Sequence, residues 1–227
     1  MQHLILLHGA LGAKQQLQPL AAILQNDFSV HTLNFHGHGG ELFGKADFST
    51  ESFADDVLVY MQQQNIERAS FFGYSMGGYV AMYIAKYFAD KVEKIITLAT
   101  KFHWDETIAA REVKMLNPDV MLQKVPAYAE ALQQRHAPND WKIVLQKTAN
   151  MMNGLGANNT LKLEDYASIH QPCLIMLGDR DKMVTLDETI SVYKQMPNAQ
   201  MAMLPATPHP LEQVNTELVS YFMKRFL

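Results

Sequence analysis

The spacing Gly73-Tyr74-Ser75-Met76-Gly77 sets a serine between two glycines, and such a serine can attack a carbonyl carbon. A hydroxyl is a weak nucleophile at its own pKa, so it needs a base within hydrogen-bond reach. The base needs a carboxylate that fixes its tautomer and stabilises the imidazolium. Two later segments supply these types. Gly178-Asp179-Arg180-Asp181-Lys182-Met183-Val184 carries two aspartates, and Pro205-Ala206-Thr207-Pro208-His209-Pro210 carries the only histidine after them. Prolines on both sides of His209 restrict its loop and lower the entropic cost of holding the ring. Asp181 is the preferred acid, because it falls in the loop beyond an apolar run. Asp179 sits at the end of that run, where bracing the turn or pairing with Arg180 accounts for it.

Such groups meet only if the elements between them bring distant segments together. Ser70-Phe71-Phe72 is apolar, the Gly-x-Ser-x-Gly turn follows, and an amphipathic pattern runs on from Met76. This reads as strand, tight turn and helix, with Oγ lifted above the sheet and the Met76 N–H beside it. Short apolar runs elsewhere alternate with helical patterns. Strands are expected at 4–7, 30–34, 69–72, 95–98, 174–177 and 200–204. Helices are expected at 17–25, 52–64, 76–87, 186–195 and 216–226. Runs that are apolar on both faces suit strands covered by helices on both sides. Ser52 followed by Asp55 resembles a capping box for the helix at 52–64, with Ser49 or Thr50 as other caps.

The stretch 102–165 breaks the alternation. It is helical in pattern, interrupted by Pro118, Pro126 and Pro138, and contains both tryptophans. It is expected to be a helical cap inserted into a core formed by 1–101 and 166–227, with Asn153-Gly154-Leu155-Gly156-Ala157-Asn158-Asn159 as a flexible return.

A negative charge developing on an attacked carbonyl needs two backbone donors. Met76 N–H is one. The turn Leu7-His8-Gly9-Ala10-Leu11-Gly12 can supply the other, from Ala10 or alternatively from Leu11, with His8 holding the turn through side-chain-to-backbone bonds.

Taken together, His8-Gly9, Gly73-Tyr74-Ser75-Met76-Gly77-Gly78, Gly178-Asp179-Arg180-Asp181 and His209 resemble the α/β-hydrolase superfamily. Asn34-Phe35-His36-Gly37-His38-Gly39 is similar to that family's Asp-x-Arg-Gly-His-Gly loop. The resemblance covers essentially the whole chain and includes the order Ser, Asp, His. It implies an α/β fold with a mostly parallel six-stranded sheet, helices on both faces and a small helical cap. The two antiparallel N-terminal strands usual in the family have no counterpart here. Asn34 and His36 replace the family's Asp and Arg, a pair that braces structure. Glu212 follows His209 by only three residues, so a short histidine loop is expected. The implied function is a serine hydrolase cleaving a small carboxylic ester or thioester through an acyl-enzyme, with Ser75, Asp181 and His209 as the triad and Ala10 and Met76 as the oxyanion hole.

Two other functions compete. A triad-bearing C–C hydrolase or lyase, like the menaquinone-pathway synthase with its Gly-Tyr-Ser-x-Gly-Gly elbow, takes polyanionic substrates, and the cap offers only Arg111 and Arg135 for them. A ligand sensor with slow turnover is the other.

The remaining features narrow the partners. The 227 residues are 48% hydrophobic with a net charge of −4, which argues against a nucleic-acid or anionic-membrane partner. Neither a signal segment nor a membrane span is evident, so a cytoplasmic protein with a small-molecule substrate is expected, as a monomer or a homodimer joined through the 30–34 edge strand. No cofactor or metal is expected. His36-x-His38 lacks acidic or cysteine neighbours, and the lone Cys173 reads as a buried strand thiol. His103, His136 and His170 read as solvated or capping side chains. Among the fourteen methionines and the cap aromatics, some pack the cap and some line an apolar pocket. Leu11, Trp104 and Trp141 are the substrate-contact candidates.

Overall fold

A computed structural model describes residues 1–227. Six strands, β1 (His3–Leu7), β2 (Ser29–Thr32), β3 (Ala69–Tyr74), β4 (Val92–Leu98), β5 (Cys173–Gly178) and β6 (Ala199–Leu204), form one sheet in the order β2-β1-β3-β4-β5-β6. Every adjacent pair is parallel. Parallel neighbours need crossovers, and helices supply them: α1 (Gln18–Leu24), α2 (Thr50–Gln63), α3 (Met76–Tyr87) and α8 (Leu186–Gln195), while α9 (Thr216–Phe226) follows the last strand. Between β4 and β5 come α4 (Glu106–Lys114), α5 (Pro118–Lys124), α6 (Pro126–His136) and α7 (Trp141–Ala157). None of these helices is long and apolar enough to cross a membrane.

Period-two alternation divides the strands' apolar side chains between two cores. Leu4, Leu6, Phe72, Ile96 and Leu98 pack with Leu20 and Leu24 of α1 and with Val219 and Met223 of α9. Ile5, Leu7, Phe71 and Ile95 pack on the opposite face with α2 and α3, and this core continues into the inserted helices through Leu132, Val144 and Leu145. The middle of the sheet is thus buried on both faces, and β1, β3, β4 and β5 read as mostly apolar runs for that reason, while the edge strands β2 and β6 are only partly buried.

Three local expectations change. The second strand ends at Thr32 rather than reaching residue 34, because Asn34 leaves the ladder to brace a turn. Its Oδ1 accepts from Lys14 N at 2.7 Å, and its Nδ2 donates to Gly39 O at 3.1 Å. Ser49, not Ser52, caps α2: Ser49 Oγ accepts from Ser52 N, and Ser52 Oγ accepts in return from Ser49 N. The glycine-bearing stretch from residue 153 is mostly helical, since α7 continues to Ala157. A Cβ on Gly156 would lie 2.5 Å from Ala109 Cβ, so this glycine lets α7 approach α4 closely. The chain then rejoins the core where Tyr79 Oη donates to Asn159 Oδ1 and accepts from Leu161 N.

Candidate active site

Ser75 stands at the junction of β3 and α3 with φ 51° and ψ −117°, a left-handed conformation that costs a non-glycine residue about 1–3 kcal/mol. The surroundings enforce it. Ser75 N donates to Leu98 O at 2.8 Å. A Cβ on Gly77 would lie 2.5 Å from Leu7 O, and one on Gly73 would lie 2.3 Å from Gly78 N. The turn is tight because strand and helix backbones touch, and only glycines permit that. Met76 occupies the first position of α3, where an N–H has no intrahelical acceptor and is free for a ligand.

Asp181 and His209 meet above the C-terminal ends of β5 and β6. His209 Nδ1 lies 2.8 Å from Asp181 Oδ2, and Asp181 Oδ1 accepts from the Met183 and Val184 amides at 2.8 and 2.9 Å. Burial alone would push the Asp181 carboxyl up. The hydrogen bonds from His209 and from the Val184 and Met183 amides outweigh it and hold the group below the ordinary carboxylate range. Asp181 is therefore ionised, and its charge orients the imidazole with Nδ1–H toward it and Nε2 free. Tyr74, the neighbour of Ser75, donates its hydroxyl to His209 O at 2.8 Å and fixes the loop. Asp179 braces the turn instead: its Oδ1 accepts from Thr207 N at 3.2 Å, and Arg180 Nε lies 3.7 Å from its Oδ2.

Ser75 and His209 border one cavity of about 350 Å³. They are not hydrogen-bonded to each other; His209 Nδ1 is engaged by Asp181 and its Nε2 has no partner. Ala10, Leu11 and Trp104 also border the cavity. Trp141 does not; it is buried in the core at the start of α7. The apolar wall is formed by Trp104, Met115, Leu116, Met121, Met152 and Val184.

The first turn of the site spans Gly9 to Gly12, closed by Gly12 N donating to Gly9 O at 3.1 Å. Leu11 has φ 56°, so this turn too is strained. It is gripped from outside. Arg135 Nη1 donates to Leu11 O at 2.8 Å, and His136 Nε2 donates to the same oxygen at 3.2 Å. His8 Nδ1 lies 2.8 Å from Gly9 O. The expectation that His136 is a solvated or capping side chain is overturned: it is fully buried at the C-terminus of α6, and its Nδ1 accepts from Gly39 N of a distant loop. Sequence reasoning missed both Arg135 and His136 as holders of this turn. Their one signal was adjacency of two cationic-type side chains at a helix end, where such residues are common for helix-dipole reasons alone.

His36 bonds Asp56 Oδ2 through Nδ1 at 2.7 Å, and His38 Nδ1 lies 3.1 Å from His36 O. The pair serves the loop. Cys173 is buried within β5, and burial pushes its thiol far up.

A family model described as alpha/beta hydrolase fold matches residues 2–211. The pimeloyl-[acyl-carrier protein] methyl ester esterase of Vibrio campbellii is 27% identical over 231 residues, covering 91% of this chain and 87% of its own. A Synechocystis sp. protein provisionally named a non-heme chloroperoxidase is 24% identical over 251 residues, covering 100% of this chain and 91% of its own. The structure of MenH from S. aureus superposes with a TM-score of 0.80 at 18% identity, covering 100% of this chain and 93% of its own.

Proposed function

The chain belongs to the α/β-hydrolase-fold family, and from that premise we propose that it hydrolyses a carboxylic ester or thioester through an acyl-enzyme on Ser75. The observation that carries this reading is the Asp181–His209 hydrogen bond of 2.8 Å, set beside the cavity that Ser75 borders. In the proposed reaction His209 Nε2 takes the Ser75 proton as Oγ bonds to the carbonyl carbon. The resulting oxyanion lies against the Ala10 and Met76 amides. Collapse expels the leaving group, which takes the proton from His209. Water then attacks the acyl-enzyme, giving its proton to His209, and Oγ recovers that proton as the acid departs. Asp181 stays ionised throughout and stabilises the imidazolium.

Charge bookkeeping around the cavity favours an uncharged substrate over a polyanion. The four charged residues bordering it are Lys101, Glu112, Arg135 and Glu212. Lys101 pairs with Glu188 at 3.6 Å, Glu112 with Arg111 at 2.8 Å, and Arg135 with Glu212 at 3.5 Å. Arg135 is thus already committed to Glu212 and to Leu11 O, which weakens the lyase reading. The methyl ester named for the Vibrio relative is of the favoured bond type.

A fluorophosphonate tests the nucleophile directly. Labelling at Ser75, located by peptide mass spectrometry, is the expected result, and a folded protein that stays unlabelled would favour a non-catalytic ligand sensor.

The same reading gives Arg135 a positioning task, since it holds the strained turn next to the Ala10 amide. Arg135→Ala is expected to lower kcat about tenfold with little change in KM, because an oxyanion donor acts mainly in the transition state. Glu212 is mostly exposed, so no buried charge is stranded. Steady-state kinetics check this, and a raised KM at unchanged kcat would instead make Arg135 a substrate-binding residue.

A further inference from the structure

One rim of the cavity is closed by polar contacts between segments far apart in the chain. Glu212 follows His209 closely, in the short turn Leu211–Gln213. Its Oε1 accepts from Gln16 Nε2, just beyond the Gly9–Gly12 turn, and from Arg135 Nη2 of α6 at 3.5 Å. Gln16 is itself fixed, since its Oε1 accepts from Ala13 N at 2.9 Å. Arg135 is fixed by its bond to Leu11 O. One carboxylate thus joins the histidine loop, the first turn of the site and the inserted helices. Gln16, Arg135 and Glu212 all border the cavity that Ser75 and His209 border.

This bridge stands at an entrance. The Glu212 side chain is 57% exposed, and Tyr128, which borders the same cavity, is 43% exposed. The carboxylate is also near the reacting end. Burial pushes the Tyr74 hydroxyl up, and the Glu212 charge pushes it further. That hydroxyl is the one bonded to His209 O. The acyl and alcohol halves of an ester leave the carbonyl in different directions, and proton transfer decides which comes here. In the proposed reaction the leaving group takes its proton from His209, so the alcohol oxygen is within hydrogen-bond reach of the ring as its bond breaks. The alcohol's carbons therefore run out past the histidine loop. The apolar wall of Trp104, Met115, Leu116 and Met121 is left to the acyl chain.

We infer that Glu212, held down by Gln16 and Arg135, limits the size of the alcohol half of the ester. This rests on the ester-hydrolase reading of the cavity and narrows it to esters of small alcohols. A bulkier alcohol must displace the bridge or crowd against it, and a surplus methylene or two against a closed wall is enough to discriminate about tenfold or more. Exposed polar pairs add little to stability, so breaking the bridge widens the exit while the fold stands.

The test compares kcat/KM along two series of esters of primary alcohols. One series holds acetate constant and enlarges the alcohol from ethanol through n-butanol to cyclohexylmethanol, so bulk grows while intrinsic reactivity stays nearly level. The other holds methanol constant and lengthens the acyl chain from acetate to octanoate. The wild-type protein is expected to turn over the cyclohexylmethyl ester about tenfold or more less efficiently than the ethyl ester. Glu212→Ala should narrow that ratio to about twofold, and Gln16→Ala should narrow it in the same direction. Glu212→Gln keeps the length and an acceptor for Gln16, so it should retain the wild-type ratio. The acyl-series ratio should stay within about twofold in every variant, which separates a rim on the alcohol side from a general loosening of the cavity. A wild-type protein indifferent to alcohol size, an alcohol ratio unmoved by both alanine variants, or an acyl ratio that moves as far would overturn the inference, while ester turnover leaves the hydrolase reading standing. Failure to turn over any ester, together with no labelling of Ser75, would take down both.

Discussion

Ser75→Ala is expected to reduce kcat/KM on a short p-nitrophenyl ester by about four to six orders of magnitude, leaving only the residual rate that binding and an oxyanion hole sustain. The magnitude follows from what is removed. Without Oγ no acyl-enzyme forms, and the reaction falls back on direct attack by water. The Asp181–His209 pair remains, held by its own loop bonds to Met183 and Val184, so a modest general-base contribution survives. Folding should be preserved. Alanine at φ 51° carries the same left-handed strain as serine, and Ser75 Oγ makes no hydrogen bond that the fold depends on. Thermal unfolding is therefore expected to shift by no more than about a degree or two, consistent with a surface-level change. Kinetics and thermal melts on the same preparation separate the outcomes. Full activity in the mutant would end the nucleophile assignment. Lost activity with a collapsed melting temperature would leave it open to a folding explanation, which fluorophosphonate labelling of the wild-type protein then resolves.

How much of this was legible beforehand depends on whether the signal was local. The strand–turn–helix at Ser75 is legible because three constraints coincide within nine residues: an apolar run, glycines where backbones touch, and an amphipathic start. The alternation of strands and helices is legible because the inner strands β1, β3, β4 and β5 are buried on both faces and run mostly apolar, whereas the edge strands β2 and β6 are only partly buried and carry Ser29, His31, Thr32 and Gln200. Glycine misleads at residues 153–159. It usually signals a loop, yet Gly156 sits in α7 to admit Ala109. Arg111 and Glu112 are neighbours in α4, and only tertiary packing reveals that the first is largely exposed and the second buried. The grip of Arg135 and His136 on Leu11 spans more than a hundred residues, and no periodicity encodes such a contact.

The histidines behind the Gly9–Gly12 turn make acid the condition to which this protein should be most sensitive. His8 accepts from Phe35 N through Nε2 and faces Gly9 O through Nδ1; His136 accepts from Gly39 N through Nδ1 and donates to Leu11 O. Each ring therefore uses one nitrogen as an acceptor, which requires the neutral form. Burial pushes both down to about 4, with nearby Arg135 adding to the shift in each case. His38, packed between them, is pushed well below its ordinary value chiefly by burial. Above pH 6.5 these rings are neutral in the folded and unfolded chain alike, and they impose no pH dependence. As pH falls from 6.5 toward 4, the unfolded chain binds protons that the folded one refuses, so stability falls. A drop from 6.5 to about 4 corresponds to roughly 3 kcal/mol for each of His8 and His136. Asp181 adds to the loss only further down, below the ordinary carboxylate range, where its depressed pKa no longer keeps it charged. A domain of this size holds about 5–15 kcal/mol in total. Urea midpoints should thus fall steeply between pH 6.5 and 4.5, and His136→Gln, which can accept and donate at the same two places, should flatten the slope by about one proton. A midpoint that stays level from pH 7 to 5 would refute the buried neutral cluster. Protonation keeps the bonds these rings donate to Gly9 O and Leu11 O and breaks those they accept from Phe35 N and Gly39 N, so the 35–39 loop is the part of the fold expected to loosen first in acid.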